Sequence, residues 1–137
     1  MTIRKESGKE GKLSRLPDAE LDVMLVLWEN PDPMKTTEIS QALKEKKDWS
    51  MSTVQALLAR LLERGFVTVK KKERLKYYSP LIGENVYRSQ ETKTFLERLH
   101  GNSWRNLLMT LVSNHEMNES DLDEIAEIIR RAGSKDD

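Results

Sequence analysis

Apolar side chains in the middle of the chain recur with the period of an α-helix. They fall at positions i, i+3, i+4, i+7 and i+8, which form one continuous stripe: Val54, Leu57, Leu58, Leu61 and Leu62. Ser50 or Ser52 can cap the start of this helix by accepting a hydrogen bond from an unpaired backbone N–H. Gly65 follows the last apolar position, where a left-handed residue usually ends a helix. The pattern therefore predicts a helix between one of these serines and Gly65.

The opposite face of this helix carries short or hydrogen-bonding side chains and a single acid, Glu63, near its end. A solvated helix face usually carries long, mixed charges, whereas a helix that enters a DNA groove needs slim side chains that reach base edges. We interpret this face as one that reads DNA; the alternative is a plain amphipathic helix in a bundle. The predicted base-reading residues are Ser52, Thr53, Gln55, Ala56 and Arg60.

A first helical pattern lies near the N-terminus. Pro17 suits the first turn of a helix because proline has a compatible φ, and Asp18 and Glu20 complement the positive end of the helix dipole. The segment Asn30–Pro33 ends this helix. Its predicted buried stripe is Leu21, Met24, Leu25 and Trp28, widened by Val23, Val26 and Leu27.

A second helical pattern follows after a short extended link at Met34–Lys35. Thr36 or Thr37 can cap this helix, which we expect to continue to about Lys46. Its predicted core face is Ile39, Ala42 and Leu43.

After the third helix the hydrophobic period changes to that of a β-strand. Phe66–Lys70 alternates apolar and polar residues, and Lys76–Ser79 is typical of a returning strand. The connector Lys71–Leu75 lacks the Asn-Gly or Asp-Gly pair that would identify the turn type. Tyr77 and Tyr78 should point to opposite faces, one buried and one exposed. Three helices followed by such a hairpin are typical of a winged helix-turn-helix.

Charge is unevenly distributed, although the net charge of the whole chain is zero. Residues 1–80 contain 16 Lys and Arg against 12 Asp and Glu, and residues 81–137 contain 7 against 11. The basic excess is concentrated in the hairpin, which we interpret as a wing on the DNA backbone; the alternative is an edge hairpin kept soluble by lysines. Trp49 either packs between helices or meets a phosphate through its indole N–H. The predicted backbone-contacting residues are Trp49, Lys70, Lys71, Lys72, Arg74 and Lys76.

The last third of the chain is helical. A helix is predicted at Glu84–Leu99, and Ser103 and Asn118 can cap two further helices. These helices cannot bury their apolar stripes within so short a region, and the economical solution is the same region of a second chain. The predicted dimer interface comprises Phe95, Leu99, Trp104, Leu107, Leu108, Leu111, Leu122, Ile125, Ile128 and Ile129.

These patterns predict a mainly α protein with a small β-hairpin wing. The 137 residues divide into a winged helix-turn-helix domain at 16–81 and an all-helical dimerisation domain at 82–132, with disordered tails at 1–15 and 133–137. The chain has no cysteine, which excludes disulfides and thiolate metal sites and is compatible with a reducing cytoplasm. No run approaches the roughly 20 apolar residues that span a bilayer. We therefore expect a cytoplasmic protein without membrane insertion.

Patterns that would indicate another class of function are missing from the sequence. There is no nucleophile elbow, no phosphate-cradling glycine loop and no framed pair of carboxylates. His100 and His115 are too few for an all-protein zinc site, and the acidic run from Glu116 to Glu127 lacks the spacing of an EF-hand loop. We therefore expect no enzymatic activity, no metal and no cofactor.

Several separated segments resemble the penicillinase-repressor (BlaI/MecI/CopY) family in order and spacing. They are Asp18–Trp28, Asp48–Ser50, the third helix, Arg64–Val67 and Tyr77–Ser79. The resemblance covers roughly residues 14–132 and implies homodimeric winged-helix repressors that bind two-fold symmetric operators. It also implies that the third helix faces DNA at the predicted base-reading positions and that Lys70–Lys76 forms the wing.

The chain departs from the family pattern at three points. The family often has basic residues at the positions of Ser52 and Gln55, so the resemblance leaves the operator sequence open. Some relatives are cut by a protease at an Asn–Phe bond, where this chain has Thr110–Leu111; this weakens the expectation of a sensor or protease partner. Copper-responsive relatives carry a C-terminal cysteine cluster, which is absent here.

We therefore predict a homodimeric transcriptional repressor that binds double-stranded DNA. Its third helix would enter the major groove, its wing would contact the flanking backbone, and dimer symmetry would require a roughly palindromic operator. The alternative is a winged-helix adaptor whose basic wing docks on an acidic protein partner.

Overall fold

The computed structural model describes residues 14–136. These residues form a mainly α structure with one small antiparallel sheet, as predicted. The predicted N-terminal tail lies outside the described residues up to position 13, and the last helix continues beyond residue 132, where the sequence predicts a disordered tail. None of the helices in this range is long and apolar enough to cross a membrane. In chain order, the elements are α1 Asp18–Glu29, β1 Met34–Lys35, α2 Thr36–Leu43, α3 Met51–Arg64, β2 Val67–Lys72, β3 Leu75–Pro80, α4 Glu84–His100, α5 Trp104–Ser113 and α6 Glu119–Asp136.

The sheet contains a strand at a segment that the sequence pattern predicts to be an extended link. Met34–Lys35 pairs with β3, which gives the strand order β1-β3-β2 with antiparallel neighbours. The link becomes a strand because Met34 is buried opposite Tyr78, so its backbone pairs with β3 while its side chain enters the core. Of the two tyrosines, Tyr78 is buried, as predicted for one of them, whereas Tyr77 is half-buried and not exposed as predicted for the other.

Capping interactions set the ends of the two helices that form the helix-turn-helix. The Oγ atom of Ser50 accepts a hydrogen bond from the N–H of Thr53, which places the start of α3 at the earlier of the two predicted caps. Gly65 ends α3 with φ at 81°, the left-handed conformation that glycine adopts without strain. For α2 the predicted threonine caps are wrong: the cap is Lys35, whose N–H donates to the Glu38 carboxylate at 2.8 Å. This helix also ends at Leu43, before Lys46.

The hydrophobic core lies between α1, α2, α3 and the sheet. The predicted stripe of α1 is partly wrong, because Leu21, Leu25 and Trp28 are only half-buried, whereas Val23 and Leu27 are fully buried. The helix packs against both α2 and α3, so its buried face is broader and rotated relative to a one-sided stripe. On the other helices, Ala42 and Leu62 are exposed although the sequence places them in the core. The buried apolar residues are Leu16, Val23, Met24, Val26, Leu27, Met34, Ile39, Leu43, Val54, Leu57, Leu58, Leu61, Phe66, Val67, Tyr78 and Tyr87.

Within the described residues the chain forms two compact units, 14–91 and 92–136. The first turns of α4 belong to the first unit, because the buried Tyr87 ring packs against Trp28 and Phe66 with centroid separations of 5.8 and 5.7 Å. This unit therefore extends beyond residue 81, the predicted end of the winged domain. The second unit contains the rest of α4 together with α5 and α6.

Candidate nucleic-acid interface

The outward face of α3 is slim along its centre. Ser52, Ala56, Ala59 and Glu63 follow one another at i, i+4, i+7 and i+11, on the side of the helix opposite the buried stripe. All four are exposed. The three small side chains allow the helix backbone to approach another surface closely, and the carboxylate of Glu63 repels a polyanion from the C-terminal end. The N-terminal half of α3 is therefore the part suited to a DNA groove.

Longer side chains that form hydrogen bonds flank this slim centre. Gln55 lies on one edge, and Thr53 and Arg60, seven residues apart, lie on the other; all three are exposed. The structure thus brings the predicted base-reading residues together on one accessible surface. An amide, a hydroxyl and a guanidinium can distinguish base edges in the major groove, where each good contact is worth ~1–3 kcal/mol of discrimination.

A network of hydroxyl groups orders the start of this face. The Oγ atom of Ser50 lies 3.0 Å from the hydroxyl oxygen of Ser52 and 3.0 Å from that of Thr53. The N–H of Thr53 also donates to Ser50 Oγ at 3.2 Å. The serine that caps α3 therefore also fixes the side chains of two predicted base-reading residues. The sequence predicts the cap but not this second role.

The wing is a hairpin with a two-residue turn. Residues Lys72 and Leu75 form the last pair of β2 and β3, and the two residues between them, Glu73 and Arg74, have φ at 53° and 72°. Two positive φ values are what a type I′ turn requires, and this turn fits the right-handed twist of the strands. The turn type could not be predicted because neither residue is the glycine, asparagine or aspartate that usually marks it.

The wing cations lie on both faces of the hairpin. Lys71 is directly opposite Lys76, on the face that also carries the buried Tyr78. Lys70 and Lys72 lie on the other face. Two like charges directly opposite each other destabilise a hairpin, and an anion between the lysines would offset that repulsion. Within residues 14–134, whose side chains are described, no ion pair joins Lys70, Lys71, Lys72, Arg74 or Lys76 to an acidic side chain.

One cation beside the wing is not predicted from the sequence. Lys35 in β1 pairs with Tyr77 in β3, which pairs in turn with Lys70 in β2. The three residues form a row on the outer face of the sheet, with the half-buried tyrosine between two lysines. This row could have been found only if Met34–Lys35 had been recognised as a strand.

Trp49 is half-buried and packs against the core cluster. This position supports the packing alternative for its side chain. Contact between its indole N–H and a DNA phosphate stays a prediction.

A buried ion pair joins α1 to the end of α3. Glu20 is only 1% exposed, and its Oε1 accepts a hydrogen bond from the Nε–H of Arg64 at 2.7 Å. The sequence carries a signal for both residues, because Glu20 precedes Val23 and Met24 on the buried stripe of α1 and Arg64 follows Leu61 by three positions. A charge on a buried stripe requires a partner, so this pattern is a signal from which the ion pair could have been predicted.

The predicted dimer residues lie in the second unit, where they are exposed or half-buried. Leu99 is 66% exposed, Trp104 60%, Ile128 61% and Ile129 59%. Phe95 and Leu122 are also exposed, whereas Leu107, Leu108, Leu111 and Ile125 are half-buried. The predicted caps are present: Ser103 Oγ accepts from the N–H of Asn106, and Asn118 Oδ1 accepts from that of Asp121. The unit thus presents apolar side chains to its surroundings.

Other residues considered in the sequence have ordinary structural partners. His100 Nδ1 lies 2.6 Å from Asn106 Oδ1, and its ring packs against Phe95. Among the described residues, no three His, Cys, Asp or Glu side chains are grouped so as to hold a metal ion. The Thr110–Leu111 bond lies inside α5, where the Thr110 hydroxyl donates to the Asn106 carbonyl; proteases prefer exposed loops, so cleavage there would require α5 to open.

Comparison with known proteins gives a consistent set of similarities. The family model described as penicillinase repressor matches residues 16–131. The penicillinase repressor of Bacillus licheniformis is 28% identical over 118 residues, covering 86% of this chain and 91% of that protein. The methicillin resistance regulatory protein MecI of Staphylococcus aureus strain N315 is 23% identical over 122 residues, covering 89% and 98%.

Two solved structures resemble part of the chain. The solution structure of the DNA-binding domain of the repressor BlaI is 36% identical, covers 56% of this chain and 92% of that chain, and has a TM-score of 0.49. The monomeric form of Bacillus licheniformis BlaI in complex with the blaP half-operator shows the same identity and coverage, with a TM-score of 0.48.

Proposed function

The chain belongs to the penicillinase repressor family of DNA-binding transcriptional repressors, which are not enzymes, and we propose that it represses transcription as a homodimer on a palindromic operator. The observation that carries this proposal is the slim, hydrogen-bonding face of α3, which is exposed on a folded core. We place the protein in the cytoplasm, where bacterial promoter DNA is accessible.

In this mechanism the N-terminal half of α3 reads the bases. Ser52 and Ala56 allow close approach, and Gln55 and Thr53 contact base edges from the two sides of the helix. Arg60 contacts a guanine or a phosphate farther along. The repulsion between Glu63 and the DNA backbone supports entry by the N-terminal end, which is how recognition helices usually dock.

The wing contacts the sugar–phosphate backbone beside the groove. Its exposed lysines carry no ion-paired acid within the described residues, so their charge is available for phosphates. Each phosphate contact releases counterions, and affinity therefore falls steeply as the salt concentration rises. Such contacts fix the register of the protein without reading sequence.

The second unit supplies the dimer. Its exposed leucine, isoleucine and tryptophan side chains would lose water on contact with the same surface of a second chain, and such a symmetric contact presents two α3 helices to two half-sites. The half-sites would be about one helical turn of DNA apart, or a multiple of it.

The decisive experiment is a titration of the full chain into labelled duplex from the promoter of its own operon, at two salt concentrations, with a shuffled duplex as control. We expect tight, salt-dependent binding that prefers the native duplex, with two chains per site. Equal, weak binding to both duplexes at both salt concentrations would contradict the proposal and favour the adaptor alternative.

Two sets of variants distinguish base reading by α3 from backbone contact by the wing. Replacing Thr53 and Gln55 by Ala should abolish the preference for the native duplex, because the base contacts are lost. Lys71→Ala with Lys76→Ala should instead weaken binding to every sequence and reduce the salt dependence by about two units of slope. Lys70→Ala with Lys72→Ala removes the same charge from the other face of the hairpin. Comparison of the two lysine pairs identifies the face that meets the backbone.

A further inference from the structure

The ion pair between Glu20 and Arg64 has no part in the mechanism above. Among residues 14–134, whose side-chain exposure is described, Glu20 is the only charged side chain that is buried. Arg64 lies in the last turn of α3, next to the glycine that ends the helix, and its side chain remains about one-third exposed. The pair therefore joins residues 44 positions apart in the sequence, at the end of α3 remote from the Ser50 cap.

A buried carboxylate is an expensive way to hold two helices together. Moving the charge out of water is costly, and apolar side chains of similar volume often stabilise a protein as well or better. The core already supplies such packing between α1 and α3 through Met24, Leu27, Leu58 and their neighbours. The contribution that apolar packing cannot make is direction, because a hydrogen bond constrains distance and angle whereas hydrophobic contact is non-directional.

This directional contact is unique within its interface. In the described part of the chain, no other side-chain hydrogen bond joins α1 to α3. Arg64 is one turn beyond Arg60, and while Arg60 points outward, Arg64 turns inward to Glu20. If α3 rotated or slid on α1, the bond would break, and Thr53 and Gln55 would leave hydrogen-bonding range of the base edges.

We propose that Glu20 and Arg64 are positioning residues, which fix the rotation and axial position of α3 and thereby set the discrimination between the operator and other DNA. This inference rests on the proposed function, since it concerns how the same helix is held. Neither residue touches DNA in this role. The pair acts on the ratio of two affinities and leaves sequence-independent binding through the wing unchanged.

The test replaces both charges at once. Glu20→Leu with Arg64→Met keeps the volume, leaves no buried charge unpaired and does not change the net charge. The matched control is Glu84→Leu with Arg88→Met, which removes an exposed ion pair one turn apart on α4. For each full-length protein, affinities for the operator and shuffled duplexes are measured at one salt concentration, together with the thermal midpoint.

We expect the first double variant to remain folded, to bind shuffled DNA like the wild type and to lose about a factor of ten in its preference for the operator, the equivalent of one weakened base contact. The control should keep the wild-type ratio. An unchanged ratio in the folded Glu20/Arg64 variant would overturn the proposal and leave the pair a packing feature.

A second variant covers failure of the first to fold. Arg64→Lys keeps both charges but replaces the planar guanidinium, whose donors are fixed in direction, by a mobile ammonium group. A lowered ratio of operator to shuffled affinity in this variant supports positioning, and a wild-type ratio overturns it. A wild-type chain that does not distinguish the two duplexes would overturn the proposed function itself, an outcome recognisable before any variant is compared.

Discussion

The two compact units handle their apolar side chains in opposite ways. In residues 14–91, the large side chains of Met24, Leu58 and Phe66 are almost fully buried. In residues 92–134, whose exposure is described, no side chain is buried, and Leu99 and Ile128 are more than half exposed. Both units are helical and capped, so the difference lies in packing and not in secondary structure.

This contrast shows which part of the fold is complete within one chain. The first unit closes its core because three helices and a sheet enclose a common centre, and Tyr87 of α4 covers one end. The second unit has helices whose apolar stripes face outward, as expected of half of an interface. One chain therefore closes the core of the first unit but leaves the apolar stripes of the second unit exposed.

The largest effect on stability is expected from a substitution in the core of the first unit. Phe66 is 2% exposed and packs edge-to-face against Tyr87. Phe66→Ala should lower the free energy of unfolding by about 3–5 kcal/mol, because it removes burial and leaves a cavity. Urea denaturation followed by circular dichroism measures the change. The control Leu81→Ala, at a position 60% exposed in the same unit, should change stability by less than about 0.5 kcal/mol.

The next largest effect is expected in the second unit. We interpret the apolar side chains that are exposed in one chain as buried between two chains. Ile128→Ala should weaken the dimer by about 3 kcal/mol, roughly 1.5 for each protomer, which corresponds to about a hundredfold in the dissociation constant. Sedimentation velocity over a concentration series measures it. Val86→Ala, at an equally exposed position of the first unit, is the control. Equal weakening of the dimer by both variants, or no weakening by either variant, would contradict the proposed interface.

Sequence periodicity predicts most of the fold because most elements are amphipathic and clearly bounded. Ser50, Gly65, Ser103 and Asn118 all mark helix ends, as predicted. The strand at Met34–Lys35 could not be predicted, since two residues have no period and pair only through a partner distant in sequence. The broad buried face of α1 could not be predicted for a similar reason, because it depends on packing against two neighbouring helices.

Some features of the candidate site can likewise be predicted from the sequence, and others cannot. The exposed face of α3 follows from helical spacing, and its residues lie where the sequence predicts. The faces of the wing depend on the strand register, which places Lys71 opposite Lys76 and cannot be derived without the turn type. The Glu20–Arg64 pair depends on tertiary packing, although a charge within an apolar stripe was a usable signal.

A smaller effect is expected where α4 completes the first unit. The Tyr87 hydroxyl accepts a hydrogen bond from the Leu16 N–H at 2.9 Å, and burial raises the pKa of Tyr87. Tyr87→Phe keeps the ring but leaves the N–H without this acceptor, which should cost about 1–2 kcal/mol at neutral pH. Chemical denaturation of both proteins gives the difference.

The raised pKa also fixes the sign of a pH effect. The unfolded chain releases the tyrosine proton at about pH 10, before the folded chain does, so the contribution of Tyr87 is complete below that pH and is lost as pH rises through the folded pKa. The wild type should therefore lose more stability than Tyr87→Phe on alkaline titration. Parallel curves for the two proteins above pH 10 would show that burial of Tyr87 has no such influence.

The smallest effect concerns the wing turn, where backbone conformation and charge can be separated. Glu73 has φ at 53°, a conformation that asparagine adopts more readily than glutamate. Glu73→Asn should raise the free energy of unfolding by about 0.5 kcal/mol, and removal of the acid should strengthen binding to all DNA at low salt. Glu73→Gln makes the same charge change without the turn preference, so it should share the second effect but not the first. Equal stabilisation by both variants would assign the gain to charge, and the strain inferred at this turn would then be wrong.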